Sequence, residues 1–189
     1  MTHGAPGTVR GGKNDTEESV ERGGFAMTAF AQGADLVEVR PVGWDDAAAV
    51  ALRGAMTEEM DARYADLLAV IGLVPDGMNV EPETVAYTGV AYVAEDVAVG
   101  HVALRRLGGD LELKRMFVTP SHRGTRVARA LLAAAEDAAR ALGAPRVVLQ
   151  TGPRQPDAVR MYEREGYTPV PVFPPYDRLP GSLCFQKPL

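Results

Sequence analysis

The sequence contains almost no cysteine, no excess of positive charge and no long apolar run. Cys184 is the only cysteine among 189 residues, which excludes an intrachain disulfide and a cysteine-based zinc or iron–sulfur site within one chain. Lys and Arg number 20 against 25 Asp and Glu, so the net charge of -5 argues against binding to nucleic acid. No run of about 18 apolar residues and no signal-peptide pattern occur, which predicts a cytoplasmic protein without a membrane partner.

Several motifs of common enzyme classes are also missing. There is neither a phosphate-binding P-loop nor a G-x-G-x-x-G pattern, which argues against a nucleoside triphosphatase and a dinucleotide-dependent enzyme. The G-x-S-x-G elbow of many serine hydrolases is absent as well. With three histidines and one cysteine in the chain, we expect no bound metal.

The composition predicts one folded domain with an N-terminal tail. Hydrophobic residues make up 46% and charged residues 24% of the chain, which is typical of a soluble globular protein. Residues 1–33 are polar and rich in glycine, so they cannot bury enough apolar surface to offset the entropy of ordering. We therefore predict a disordered tail over residues 1–33 and a single domain over residues 34–189.

Hydrophobic periodicity predicts alternating helices and strands in this domain. After a first strand that ends at Pro41, Asp45 or Asp46 is expected to cap a helical region that Gly54 divides into two helices. A loop rich in structure breakers, residues 72–82, follows. The next elements are predicted as an antiparallel meander of strands over 90–94, 97–107 and 111–118, which Pro120 ends. A helix with an apolar stripe from Val127 to Leu142 follows and stops at Gly143. The last elements are a strand over 146–150, a helix from Pro156 to Gly166, and strands over 167–173 and 182–187.

A basic loop links the third strand of the meander to the helix that follows. Gly124 allows close approach of the backbone to a ligand, and Arg123, Arg126 and Arg129 add positive charge. The first N–H groups of a helix have no partner within the helix and lie at the positive end of its dipole, so this turn is a candidate anion site. The alternative is an ordinary strand-to-helix junction that binds nothing.

Three segments in order resemble the GNAT superfamily of acyl-CoA-dependent N-acyltransferases. The strand 111–118 leads into Arg123-Gly124-Thr125-Arg126-Val127-Ala128, which resembles the family's Q/R-x-x-G-x-G/A loop. After the strand 147–151, residues 155–167 resemble the pattern N-x-x-A-x-x-x-Y-x-x-x-G-F. Two positions depart from these patterns. Arg126 stands where the family has glycine, which is tolerable if Arg126 is in αR geometry at the helix start, and Gln155 replaces the more usual asparagine.

The resemblance implies a fold and a cofactor. The expected fold is α/β, a GNAT-like domain whose mostly antiparallel central sheet is splayed between two parallel strands, with helices on both faces. Acetyl-CoA would be the cofactor, with its pantetheine arm paired to the strand that contains Met116 and its pyrophosphate over the basic loop. The residues implied in cofactor binding are Met116, Phe117, Val118, Arg123, Gly124, Thr125, Arg126, Val127, Ala128 and Gln155.

Two residues are implied in catalysis. Tyr162 matches the tyrosine that protonates the departing coenzyme A thiolate in many members of the family. The alternative interpretation is that Tyr162 is an aromatic residue that only fills the core. Glu112 is the first candidate for the base that deprotonates the attacking amine, with Glu59 and Glu38 as weaker candidates. The alternative for Glu112 is an exposed strand residue beside Lys114. His101 reads as a structural histidine, and His122 as a residue flanking the phosphate.

The acceptor is the least defined part of this hypothesis. The resemblance places the acceptor against Glu59, Arg63, Tyr64 and Tyr176, with Glu58, Phe173 and Arg178 nearby. The acidic segment 56–64 would suit a cationic amine, or it is the solvated face of a helix. We expect transfer of acetyl from acetyl-CoA to a primary amine of a small molecule or a peptide by direct attack in a ternary complex. A homodimer is one assembly that we consider for the protein. The alternatives are a non-catalytic acyl-CoA-binding module and a protein N-terminal or lysine acetyltransferase.

Overall fold

The computed structural model describes Met1 and residues 28–30, 36–71 and 79–189. Within these residues an eight-stranded sheet runs in the order β1-β2-β3-β4-β5-β6-β8-β7. The strands are β1 Thr28–Phe30, β2 Val37–Pro41, β3 Val85–Val93, β4 Val97–Leu107, β5 Asp110–Val118, β6 Arg146–Thr151, β7 Thr168–Val170 and β8 Leu183–Pro188. The helices are α1 Ala47–Ile71, α2 Val127–Ala141 and α3 Pro156–Arg164.

The sheet confirms the expected fold class. Strands β3, β4 and β5 form the predicted antiparallel meander. β5 and β6 pair in parallel, while the other paired strands of the described part are antiparallel. Parallel pairing of two sequential strands needs a crossover connection, which α2 provides. The strand pair that the resemblance singled out therefore lies inside the sheet rather than at its edge.

Helix α1 covers one face of the sheet as a single continuous helix. The Asp46 carboxylate accepts hydrogen bonds from the amides of Ala48 (2.9 Å) and Ala49 (3.1 Å), which makes it the N-cap. The helix runs through Gly54, so the prediction of two helices divided at this residue is wrong. One interior glycine costs only about 1 kcal/mol, and packing of Ala49 and Leu52 against the sheet outweighs that cost.

Helices α2 and α3 cover the opposite face, where most of the core lies. Buried aliphatic side chains of α2 pack against those of β3, β4, β5 and β6. Gly100 permits this close approach, because a Cβ atom there would lie 2.8 Å from Leu131 Cδ1 and 3.0 Å from Val127 Cγ1. Tyr162 of α3 packs into the same core. The two faces of the sheet are thus covered by different helices, as the fold prediction required.

The chain before β2 differs in part from its prediction. Thr28–Phe30 pairs in antiparallel fashion with β2, so these three residues are ordered although they lie within the predicted tail. A segment of three residues, Thr-Ala-Phe, is too short to show the periodicity of a strand in the sequence. The rest of the predicted tail, residues 2–27 and 31–33, and most of the predicted loop, residues 72–78, lie outside the described residues. In the described part of the chain, no helix has the length and apolar character required to cross a bilayer.

Candidate active site

Strands β5 and β6 separate after only three paired residues. Their pairing ends at Leu113 opposite Leu149, although β5 continues to Val118. The Thr119 amide donates to Val99 O on β4 at 2.9 Å. Because main-chain groups alternate in direction along a strand, those of Val118 and Met116 face the other way, into the gap beside β6. Beyond Leu113, this edge of β5 therefore pairs with no strand of the described part of the chain, and Val118 O accepts instead from Arg123 Nε at 3.0 Å.

A bulge at Arg115 marks the point of separation. Arg115 has a left-handed φ of 53°, and Leu113 and Met116 both contact the core on the α2 face although they are three residues apart. His101 Nδ1 donates to Arg115 O at 2.8 Å, which leaves Nε2 to accept from the Arg53 guanidinium at 3.2 Å. Burial is the main cause that lowers the pKa of His101 to about 4, so the ring is neutral near pH 7. His101 is thus the structural histidine that the sequence predicted.

The basic loop makes a tight turn into α2. Gly124 has a φ of 74°, which favours glycine, and Arg126 precedes α2 with φ -76° and ψ -10°. Arg126 therefore has the αR geometry under which the resemblance tolerates it. The Thr125 hydroxyl donates to His122 O at 2.6 Å and accepts from the Val127 amide at 3.4 Å, which closes the turn at the start of the helix.

The side chain of Arg123 extends towards α1 rather than over the loop. Its Nε donates to Val118 O at 3.0 Å, and its guanidinium pairs with Glu59 at 2.5 Å. Glu59 also pairs with Arg63 at 2.7 Å. Two of the predicted acceptor residues, Glu59 and Arg63, therefore lie beside the predicted cofactor loop, and the Glu59 carboxylate is balanced by two cations.

Tyr162 approaches the separated strands from α3. Its hydroxyl lies 3.8 Å from Met116 Sδ, and its ring packs at an angle against Tyr167 with centroids 5.6 Å apart. Burial raises the pKa of Tyr162 well above its ordinary value, so the hydroxyl keeps its proton at neutral pH. Gln155, the other predicted residue of this segment, is the half-buried residue before α3. Its main-chain N–H donates to Gly152 O at 3.1 Å.

Glu112 lies on the α1 face of β5 and is fully buried, so the alternative of an exposed strand residue is wrong. Its carboxylate accepts from Arg105 Nε at 2.6 Å and from the Tyr176 hydroxyl. Lys114 Nζ lies 3.7 Å from the same carboxylate and donates to the Tyr176 hydroxyl at 2.7 Å. Arg105 also donates to that hydroxyl at 3.1 Å. The predicted base and the predicted acceptor residue Tyr176 thus belong to one buried network.

Burial dominates the electrostatics of this network. It lowers the pKa of Lys114 to about 8, with the Glu112 charge acting in the opposite direction. It also raises the pKa of Tyr176 well above its ordinary value, and Glu112 adds to that shift. Tyr176 therefore keeps its proton for the hydrogen bond to Glu112.

Sequence reasoning missed Arg105 and Lys114, although one signal for Arg105 was present. The turn Gly108-Gly109 joins β4 and β5 with Leu107 opposite Asp110. Counting outward from this two-residue turn places Arg105 opposite Glu112. A charged residue inside an otherwise apolar strand, facing a carboxylate across a hairpin, indicates a buried ion pair.

Tyr64 anchors α1 to the residues that follow β6. Its ring lies so close to Gly152 that a Cβ atom there would overlap the Tyr64 hydroxyl. Arg154 lies 5.6 Å from the ring centroid of Tyr64 and pairs with Asp66 at 2.5 Å. Three of the four predicted acceptor residues, Glu59, Arg63 and Tyr64, therefore lie along α1, between the basic loop and the residues that follow β6. The fourth, Tyr176, lies in the network around Glu112.

The remaining residues near the predicted acceptor site differ in exposure. Phe173 is half-buried and contacts the Tyr176 ring edge-on, with centroids 5.6 Å apart. Glu58, Asp61 and Arg178 are exposed. Most of the acidic segment of α1 is therefore solvated, and Glu59 is its member beside the site.

Comparison with known proteins assigns this architecture to a family of enzymes. The model of the Acetyltransferase (GNAT) family matches residues 57–167. A protein of Azospirillum brasilense named IAA acetyltransferase is 41% identical over 93 residues, which are 49% of this chain and 61% of that protein. The matched segment thus spans less than two thirds of this curated relative.

Solved structures show the same fold. A protein of Klebsiella pneumoniae described as an acyl-CoA N-acyltransferase is 30% identical, with a TM-score of 0.66 over 81% of this chain and 97% of its own. The PaiA N-acetyltransferase of Thermoplasma acidophilum, solved with coenzyme A, is 15% identical, with a TM-score of 0.59 over 81% of this chain and 99% of its own. At that identity the second likeness is one of fold.

Proposed function

The chain belongs to the GNAT acetyltransferase family, and we propose that it transfers an acetyl group from acetyl-CoA to a primary amine by direct attack in a ternary complex. The observation that carries this proposal is the open main-chain edge of β5, which ends in the basic loop at the start of α2. An extended arm fits beside such an edge as an added strand, and an anion fits at such a helix start.

Acetyl-CoA would supply an acetyl group activated as a thioester, together with the negative charge of its pyrophosphate. Met116 and the Val118 amide offer main-chain groups that face the gap, while Val118 O accepts from Arg123 Nε. The Met116 amide is the proposed donor to the acyl carbonyl. Gly124, with its left-handed φ, and Arg126, in αR geometry, lead into the start of α2, where the pyrophosphate would lie. Arg123 would act through the shape of the loop, since its guanidinium is already paired with Glu59.

Tyr162 is the proposed acid. Its hydroxyl lies beside Met116 at the separation of the strands and remains protonated because of burial. A thiolate departs faster when it receives a proton or a hydrogen bond as it forms. Glu112 is the proposed base. The Tyr176 hydroxyl oxygen already accepts from Lys114 and Arg105, so a proton from the attacking amine would reach the Glu112 carboxylate through water.

The first experiment measures binding and turnover separately. Titration calorimetry with acetyl-CoA and with free coenzyme A is followed by thiol release over a panel of primary amines. We expect micromolar binding of both ligands and thiol release that depends on the amine. Binding without release on any amine would favour the alternative of a non-catalytic acyl-CoA-binding protein, and absence of binding would refute the donor site itself.

The role of Tyr162 is tested by removing one oxygen atom. Tyr162→Phe is expected to lower kcat by about 10- to 1000-fold with little change in the Kd for acetyl-CoA. Tyr167→Phe is the matched control, because Tyr167 is a buried tyrosine in contact with the Tyr162 ring. Equal turnover in the two variants would remove Tyr162 from the mechanism.

A further inference from the structure

Four basic side chains meet on the α1 face where β5 leaves β6. Arg53 contacts His101, which in turn donates to the main chain of Arg115. Lys114 and Arg105 both donate to the Tyr176 hydroxyl. The charge of Arg115 lowers the pKa of both Arg53 and Lys114, which shows that these groups act on one another electrostatically. We name Arg53, Arg105, Lys114 and Arg115 the basic cluster.

One carboxylate lies within the basic cluster, and it is already engaged. Glu112 is held by Arg105 Nε and by the Tyr176 hydroxyl, and it lies farther from Lys114. Among the described residues, no carboxylate forms an ion pair with Arg53 or Arg115, although thirteen other ion pairs occur. Within the described residues, Arg53 and Arg115 are thus two cations without a carboxylate in ion-pair contact, and the charge of Asp46 acts on Arg53 only from farther away.

These positive charges are held away from water. The side chain of Lys114 is only 10% exposed, and Arg53 and Arg115 are half-buried. Burial is the main cause that lowers the pKa values of all three residues. A concentration of partly buried cations is unfavourable unless an anion joins it, because desolvation destabilises the charged form. The site is therefore built to accept negative charge from a ligand.

The pyrophosphate of the donor is not the anion expected here. Arg115 immediately precedes Met116, whose main chain faces the gap, whereas the anion-binding turn follows the end of β5. The basic cluster shares the α1 face with Glu112, while α2 packs on the other face. An anion bound by Arg115 would lie beside the reacting acyl group, on the side from which the acceptor must approach.

The acidic segment of α1 does not counter this charge. Glu59, its residue beside the site, is paired with Arg63 and Arg123. Glu58 and Asp61 are exposed. The acidic rim that the sequence suggested for a cationic amine is therefore not available, because one of its carboxylates is paired within the protein and the others face solvent.

We propose that the acceptor is an amine that also carries a carboxylate, as an amino acid does, and that Arg115 and Lys114 bind this carboxylate. This inference rests on the proposed acetyl transfer. Arg115 offers a planar pair of donors that suits a carboxylate, and Lys114 offers a compact charge beside it. The bulge sets the position of Arg115, and His101 holds the bulge by its hydrogen bond to Arg115 O.

The test compares matched acceptors that differ only in the carboxylate. Phenylalanine, leucine, glutamine and lysine are each supplied as the free acid, as the α-amide and as the decarboxylated amine, and thiol release from acetyl-CoA is followed. We expect at least one free acid to be acetylated with kcat/KM about 10- to 100-fold above its amide and its decarboxylated amine, the effect of losing one charge-assisted contact. Turnover of amides or simple amines that equals or exceeds turnover of the acids would overturn this inference and leave acetyl transfer standing. Failure of all twelve compounds while acetyl-CoA binds would count against both.

A substitution at Arg115 links the preference to the proposed contact. Arg115→Asn removes the charge with a residue that tolerates the left-handed backbone, and Arg106→Asn is the control at an exposed position of β4. We expect Arg115→Asn to raise KM for the free acid about 10- to 100-fold, with an unchanged Kd for acetyl-CoA, and Arg115→Lys to restore part of the loss. An equal loss on the acid and on its amide would mean that Arg115 supports the bulge and does not bind the carboxylate.

Discussion

The two faces of the sheet bury different kinds of side chain. The α2 face holds a large core in which aliphatic residues of the sheet meet those of α2, and the buried Glu136 carboxylate of α2 is paired with Lys187 at 2.7 Å. The α1 face holds a small apolar cluster, Ala49, Leu52, Val90 and Phe117, next to the buried charges of Arg105 and Glu112. Apolar burial stabilises the fold, while buried charge costs free energy unless it is fully paired. The α2 face therefore supplies stability, and the α1 face uses part of it to hold polar groups beside the site.

Removal of the carboxylate at the centre of the α1 face is expected to have the largest effect on stability. Glu112→Gln would remove the fully buried carboxylate that pairs with Arg105 and lies 3.7 Å from Lys114. Loss of one partner of a buried ion pair typically costs about 3–5 kcal/mol. Urea unfolding at pH 7 measures this change, with the exposed Glu58→Gln as the control. A loss of less than about 1 kcal/mol would show that water reaches these charges.

A cavity in the α2 face is expected to cost slightly less. Leu131 is fully buried between α2 and the sheet, and Leu→Ala at such a position costs about 3 kcal/mol in transfer free energy and cavity formation. Leu142→Ala at the more exposed end of α2 is the control. Since Leu131 lies away from the basic cluster, the acid-to-amide preference of the folded variant should not change. A changed preference would contradict the division of roles between the two faces.

The next effect is a pH dependence that arises on the α1 face. His101 has a folded-state pKa of about 4, against an ordinary value of 6.5. The unfolded chain therefore binds more protons than the folded chain between these values, so stability falls as the pH decreases through this window. From pH 7 to pH 5 the loss due to His101 should be about 2 kcal/mol.

Urea unfolding of the wild type and of His101→Gln at both pH values isolates this contribution. We expect the decrease in unfolding free energy between pH 7 and pH 5 to be smaller in the variant by about 2 kcal/mol. Carboxylates elsewhere contribute equally to both proteins and cancel in the difference. The same pH dependence in the two proteins would mean that His101 is hydrated or charged in the folded state.

Local patterns were sufficient to predict most of the elements. The meander, α2, β6 and α3 follow from periodicity within each segment and from the glycine and proline residues at their ends. The bulge at Arg115 could not be predicted in this way, because it depends on how β5 lies against β4 and on the hydrogen bond from His101. The pairing of Thr28–Phe30 with β2 is likewise a contact between strands rather than a property of three residues.

The site was predicted unevenly for the same reason. The basic loop and Tyr162 lie within contiguous motifs, and the structure places both at the end of the separated strands. The basic cluster draws Arg53 from α1, Arg105 from β4, and Lys114 and Arg115 from β5. Residues brought together from three elements leave no contiguous pattern. Apart from Arg105, which the hairpin places opposite Glu112, each of them alone resembles an ordinary surface charge in the sequence.

The smallest effect concerns the continuity of α1, the helix that closes the α1 face. Gly54 lies inside the helix, and an added Cβ atom would meet nothing within 4 Å. Gly54→Ala should therefore raise the free energy of unfolding by about 0.5–1 kcal/mol, because alanine loses less conformational entropy in a helix. Urea unfolding measures this change, with Gly152→Ala as the comparison. At Gly152 the added Cβ atom would overlap Tyr64, so we expect that variant to lower the free energy of unfolding. Destabilisation by Gly54→Ala would mean that α1 bends at this glycine in solution, as the sequence alone suggested. The position of Arg53, and with it the basic cluster, would then vary with that bend.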